Sequence, residues 1–125
     1  MGQNRSSYRS KGGHGVPNDE PSRFSVETSA DGTGQLTLAV TGEVDTFTSG
    51  GLRDALNEGI DGGAVDITLD VSNMEFIDST GLGVLVGALK RLQERGGSLT
   101  LRKPRPSALQ VLSIVGLTSH FTIEE

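Results

Sequence analysis

A chain of 125 residues with a formal net charge of −5 and no cysteine is the size of one domain with one core, and it excludes disulfides, thiolate nucleophiles and Cys-ligated metal sites. His14 and His120 are the only histidines, too few for a histidine-based metal centre, and no apolar run reaches the roughly 18 residues of a membrane span. With no hydrophobic signal region at its start either, the sequence reads as soluble and cytoplasmic, without a membrane or metal partner.

The charge is unevenly placed. Residues 1–23 carry four bases (Arg5, Arg9, Lys11, Arg23) against Asp19 and Glu20. Residues 24–79 carry eleven acids against Arg53 alone, and residues 80–125 carry six bases against Glu94, Glu124 and Glu125. The acidic middle argues against direct nucleic-acid binding and for a partner with basic groups.

Residues 1–23 are rich in Ser, Gly, Asn and Arg, with few apolar residues to dock them, and read as a disordered tail; the folded domain is expected over residues 24–125. Phe24 and Val26 alternate with polar neighbours, Asp31-Gly32-Thr33-Gly34 supplies a turn, and Leu36, Leu38 and Val40 resume the period of two, which predicts a hairpin. From Thr48 the pattern is helical, with Leu52, Ala55, Leu56 and Ile60 on one face, Arg53, Asp54 and Glu58 away from it, and Gly62-Gly63 at its end. Val65, Ile67, Leu69 and Val71 then alternate with Asp66, Thr68 and Asp70, a strand with one face lacking helical cover.

Phe76-Ile77-Asp78-Ser79-Thr80-Gly81 passes sharply into a second helix, whose apolar face is Leu82, Leu85, Val86, Leu89 and Leu92 and whose last turns carry Lys90, Arg91 and Arg95. After Gly96-Gly97, Leu99 and Leu101 form a short strand. Leu109, Leu112 and Val115 mark a last helix near Pro106, ended by Gly116, and Phe121 and Ile123 suit a closing strand. Strands alternating with helices after a hairpin imply a single α/β domain with a mixed sheet and flanking helices.

Most chemistries fail their tests. Gly81, Gly83 and Gly87 follow a strand and open a helix, but their spacing does not match the dinucleotide fingerprint and no phosphate-cradling Gly-Lys-Ser/Thr exists, so they read as glycines for close helix–sheet packing. Ser79 lacks the glycine of a hydrolase elbow two residues before it, where Ile77 stands, and lacks a candidate base. No catalytic constellation is visible, and the chain is expected not to be an enzyme.

The informative feature is the hydroxyl pair Ser79 and Thr80 at a helix start. One of them can simply cap the helix; the same place also favours an added phosphoryl group, which carries roughly −1.5 to −2 charges. Here the sequence resembles a family. Gly42-Glu43-Val44-Asp45, then Phe76-Ile77-Asp78-Ser79-Thr80-Gly81-Leu82-Gly83-Val84-Leu85, and Leu112 through Phe121, are similar to the STAS domain of bacterial anti-sigma factor antagonists over about residues 24–125. The serine after the aspartate is that family's phosphorylation site, which by motif is Ser79, with Thr80 a secondary acceptor where the family often has serine or a small residue.

The resemblance implies partner switching. The unphosphorylated protein binds an anti-sigma factor that is also a serine kinase, the sigma factor is released, phosphorylation ends the binding, and a serine/threonine phosphatase restores it. ATP and magnesium then belong to the kinase, and this chain needs no cofactor of its own. Glu43 and Asp45 are the expected acidic contacts, with exposed loop acids as the alternative; Asp78 orients the loop or serves as a turn residue, Gly81 leaves the backbone open to the partner, and Leu82 is either core or interface. The rivals are a STAS scaffold or lipid-transport subunit that works without phosphorylation, and a ligand-binding domain using the Gly81–Gly87 helix start.

Overall fold

Alternation at every second residue builds the sheet, and the 3.6-residue period builds the helices that cover it. The protein is described here as a computed structural model in which residues 5–8 and 24–125 are described. Its elements are β1 (Arg5–Tyr8), β2 (Ser25–Ala30), β3 (Gln35–Val44), α1 (Ser49–Asp61), β4 (Asp66–Ile77), α2 (Ser79–Glu94), β5 (Ser98–Arg102), α3 (Pro106–Ile114) and β6 (Thr122–Glu124). Among the described residues the strands form one mixed sheet in sequence order, antiparallel from β1 to β3 and parallel from β3 to β6. That is the expected α/β architecture.

The core lies on one face of this sheet. Leu38, Val40, Ile67, Leu69, Leu99 and Leu101 are buried there, and Leu52 of α1, Leu85 of α2 and Leu112 of α3 line a common space with Leu69 and Leu101. Each such side chain contributes roughly 1.5–3 kcal/mol by leaving water. On the other face Thr37, Thr68, Asp70 and Thr100 stay half-buried, as the alternation in β4 implied.

Several expectations are corrected. β4 continues to Ile77 instead of stopping near Val71, because its register against β3 shifts twice: Ala39 and Thr41 face Asp70 and Asn73, and Gly42 and Glu43 face Met74 and Phe76. Each shift inserts one extra residue in β4, so the buried positions become Val71, Met74 and Ile77, and no period of two is left to read. In α3 the core face is Ala108 and Leu112; Leu109 is half-buried and Val115 is exposed, since the helix closes at Ile114 and Val115 falls beyond its last turn. In α2, Ala88 is buried where Val86 was expected and Val86 is half-buried.

Arg5–Tyr8, expected to lie in a disordered tail, pair with Val26–Ser29. A sheet edge offers main-chain N–H and C=O groups that need no apolar side chain from the strand they accept. The rest of the expected tail lies outside the described residues.

The two central helices are tied to each other at their far ends. Arg91 donates to the Asn57 and Asp61 side chains at 2.8 and 2.7 Å, and Arg95 donates to the Ile60 carbonyl at 2.6 Å. Arg91 and Arg95, expected to suit the end of α2, thus also secure the end of α1.

Candidate functional site

Parallel strands β3 and β4 end side by side at the Val44–Ile77 pair, and each then feeds a helix. The carboxyl ends of parallel strands are where open α/β sheets place their sites. The two exits are joined: the Asp78 N–H donates to the Val44 carbonyl at 3.1 Å.

The exit from β3 is a tight loop built by Asp45 and Thr48. The Asp45 carboxylate accepts the N–H groups of Phe47 and Thr48 at 2.9 and 3.1 Å. The Thr48 hydroxyl accepts the Asp45 N–H at 2.9 Å and donates to the Glu43 carbonyl at 2.6 Å. Asp45, expected as a partner contact, therefore also has a structural task. Glu43 lies half-buried beside it, opposite Phe76 across the β3–β4 ladder.

The exit from β4 starts α2. Its N-cap is Asp78, not Ser79 or Thr80: Asp78 is extended, and its carboxylate accepts the N–H groups of Thr80 and Gly81 at 2.9 and 3.2 Å and the Thr80 hydroxyl. Ser79 is the first helical residue, and it is exposed, with no hydrogen bond from its hydroxyl to another described residue. The two hydroxyls therefore differ in state, the Thr80 hydroxyl engaged and the Ser79 hydroxyl available.

Gly81 is buried. A Cβ there would stand 2.7 Å from side-chain carbons of both Val44 and Ile77, so glycine is needed for the helix start to seat on the strand ends. That bears out, at Gly81, the reading of these glycines as ones for close helix–sheet packing. Gly83 and Gly87 meet nothing within 4 Å and carry no packing role of this kind. Leu82, left open between core and interface, is 8% exposed and belongs to the core. Gly81→Ala should cost about 1–3 kcal/mol of stability, measured by urea unfolding, by lifting the first turn of α2 from the strands.

The hydrogen bond from the Thr80 hydroxyl is the largest influence on the Asp78 carboxyl; desolvation, the next, opposes it, and the Gly81 and Thr80 amides add to the hydroxyl to hold the group below its ordinary value of 3.8. Asp31 is lowered chiefly by the Thr33 hydroxyl. At Asp70 desolvation is the largest single influence and raises the value, but the Ser72 hydroxyl and amide with Arg102 and Lys103 together prevail and lower it. Folded values below unfolded ones mean that the stability these groups contribute is complete above about 3.8 and is lost as pH falls through the lower folded values. Asp78→Asn should therefore be less stable than the parent at pH 7, and the gap in urea midpoint should narrow below pH of about 3.8.

Sequence reading missed two residues at this end of the sheet. Phe47 is 89% exposed and Phe76 is 50% exposed. The available signal was positional: Phe47 stands two residues after Asp45 inside a turn, and Phe76 two residues before Asp78, where neither fits an apolar face.

The sequence matches the family model of the STAS domain over residues 26–125, and the chain belongs to that family. The anti-sigma-B factor antagonist of Listeria monocytogenes is 30% identical over 101 residues, covering 81% of this chain and 89% of that protein. The anti-sigma-B factor antagonist of Bacillus subtilis is 35% identical over 82 residues, covering 66% and 74%. Among solved structures, an anti-sigma factor antagonist from Mycobacterium paratuberculosis superimposes with a TM-score of 0.74 at 23% identity, covering 85% of this chain and 89% of that one. The Bacillus cell fate determinant SpoIIAA in its phosphorylated form gives 0.65 at 20% identity, covering 80% and 91%. The two structures share the fold. Among the described residues no helix is long and apolar enough to cross a membrane, and no group of three or more His, Asp or Glu side chains is placed to hold a metal.

Proposed function

We propose that the chain is an anti-sigma factor antagonist that works by partner switching, with Ser79 as its phosphorylation site. Unphosphorylated, it binds an anti-sigma factor that is also an ATP-dependent serine kinase, and the sigma factor goes free. Phosphorylation ends the binding, and a serine/threonine phosphatase restores it. The observation that carries this reading is the pair of hydroxyl states: Ser79 exposed at the helix start with no hydroxyl partner among the described residues, Thr80 donating to Asp78. The antagonist names of relatives at least 30% identical support the same role.

In the transfer the Ser79 oxygen attacks the γ-phosphorus of ATP, the bond to the β–γ bridging oxygen breaks, ADP leaves, and the hydroxyl proton passes to a base of the kinase. This chain contributes only the hydroxyl and its placement. The amides of Thr80 and Gly81 are already taken by Asp78, so the phosphate is not cradled by them and adds its charge beside an existing carboxylate, facing outward. A partner that fits the neutral hydroxyl must then desolvate a dianion, and each 1.4 kcal/mol of that penalty is about tenfold in affinity.

Incubation with the serine kinase that co-purifies with the unmodified chain, plus ATP and magnesium, followed by peptide mass mapping, tests the site. Phosphate on Ser79 is expected; phosphate found only elsewhere contradicts the assignment. Because Glu43, Asp45, Glu75 and Asp78 all stand at this end, affinity for the kinase should also fall as salt rises, and a flat salt titration would contradict the electrostatic part.

A further inference from the structure

We infer that Phe47 and Phe76 are the apolar anchors through which the Ser79 face grips its partner, and that the partner meets them with an apolar pocket rimmed by Lys or Arg side chains. This rests on the partner-switching reading and adds which groups supply the affinity. The chain has four phenylalanines; Phe24 and Phe121 are 8% and 5% exposed, whereas Phe47 and Phe76 are 89% and 50% exposed. A scattered exposed side chain is ordinary, but these two stand at the same end of the sheet, on the two chain segments that leave β3 and reach Ser79.

Their exposure is built in. Phe47 is held out by a loop closed on both sides, its own N–H donating to Asp45 while the Thr48 hydroxyl bridges Asp45 and Glu43. Phe76 lies in the bulged part of β4: the register shift between Gly42 and Glu43 leaves Met74 and Ile77 in the core and sets Phe76 opposite Glu43. With the backbone held this way only the two side-chain torsions of each ring are left to order on binding, which is how few residues come to dominate an interface.

The charge around them fixes the kind of partner. Glu43 faces Phe76 across the β3–β4 ladder, Asp45 accepts the Phe47 N–H, and Glu75 and Asp78 stand within two residues of Phe76; the bases of this end, Lys103 and Arg105, follow β5, and Arg105 donates to the Ser72 carbonyl. A second copy of the chain would set carboxylate against carboxylate across a two-fold contact, and nucleic acid or anionic lipid would meet the same repulsion. A protein pocket with a basic rim is complementary on both counts. Phosphorylated Ser79 adds negative charge beside the anchors, so the anchors must give up their pocket or the phosphate must be desolvated.

The test uses the purified kinase recovered with the unmodified chain, titrated calorimetrically. Phe47→Ala should weaken binding roughly tenfold or more, and Phe47→Ala with Phe76→Ala by roughly a hundredfold or more, with Phe47→Leu between parent and Phe47→Ala. Because the lost contact is apolar, the slope of affinity against salt should not change. The urea midpoint of Phe47→Ala should match the parent, since the ring packs on almost nothing in the free chain. Affinities of both alanine variants within twofold of the parent, while Ser79→Asp loses binding, would overturn the anchors and leave the switch standing. Self-association of the parent chain that Phe47→Ala abolishes would assign the surface to a second copy and overturn the partner. Failure of the parent chain to bind any serine kinase would remove the switch reading, and this inference with it.

Discussion

Ser79→Ala should keep its full affinity for the anti-sigma kinase after prolonged incubation with kinase, ATP and magnesium, whereas the parent chain loses it under the same conditions. Ser79→Asp should bind at least about tenfold more weakly than the parent without any incubation. The hydroxyl has no partner among the described residues, so its removal leaves no buried group unsatisfied and costs the fold little. A single aspartate charge is smaller than the roughly −1.5 to −2 of a phosphoserine, so the mimic should fall short of the modified chain. Thr80→Ala is the informative companion. It should still be phosphorylated on Ser79, but with a less firmly held loop, because the Thr80 hydroxyl is one of three donors to Asp78.

Gly97→Ala should destabilise by about 3 kcal/mol or more, the largest loss expected from adding one methyl group. Its Cβ would fall 1.7 Å from the Val65 carbonyl oxygen and 2.7 Å from the carbon, and that oxygen already accepts the Ser98 N–H at 3.2 Å. The obstacle is backbone at the start of β4, where no side chain can swing away. Neighbouring Gly96 provides the control: it has φ of 76° but meets nothing within 4 Å, so Gly96→Ala should cost about 1 kcal/mol through backbone strain alone. Urea unfolding of the two variants separates these causes. Equal losses would contradict the close approach of the α2–β5 connection to the residue before β4.

What the sequence reveals depends on how regular the backbone is. The hairpin, α1, most of α2 and β5 follow from uninterrupted periods of two or 3.6, and the residues assigned to their buried faces largely stay there. The second half of β4 was illegible because two inserted residues break the alternation at Ser72–Phe76, and those insertions are what bring Asp78 and Ser79 to the end of the sheet. The face of α3 was misread because a short helix that is apolar nearly all round gives no direction; Ile114 ends up 76% exposed.

At the site, the motif located Ser79 and its neighbours, but roles within it needed geometry. Which of Asp78, Ser79 and Thr80 caps the helix depends on where the extended backbone ends, and three adjacent cap-forming residues leave that open until the dihedral angles are seen. Asp45 was placed as a contact by its match to the family's acidic position, and only geometry shows that its carboxylate also closes the loop. Close helix–sheet packing was expected of Gly81, Gly83 and Gly87 alike, but only Gly81 has Val44 and Ile77 beneath it, which spacing alone does not tell.

The central claim is that one phosphate on Ser79 separates a binding surface from a non-binding one. Calorimetric titration of the anti-sigma kinase with unmodified chain and with chain stoichiometrically phosphorylated on Ser79, at the same salt, measures this directly. A loss of roughly a hundredfold or more in affinity on phosphorylation, about 2.8 kcal/mol, is the expected result. Equal affinities for the two forms would contradict it.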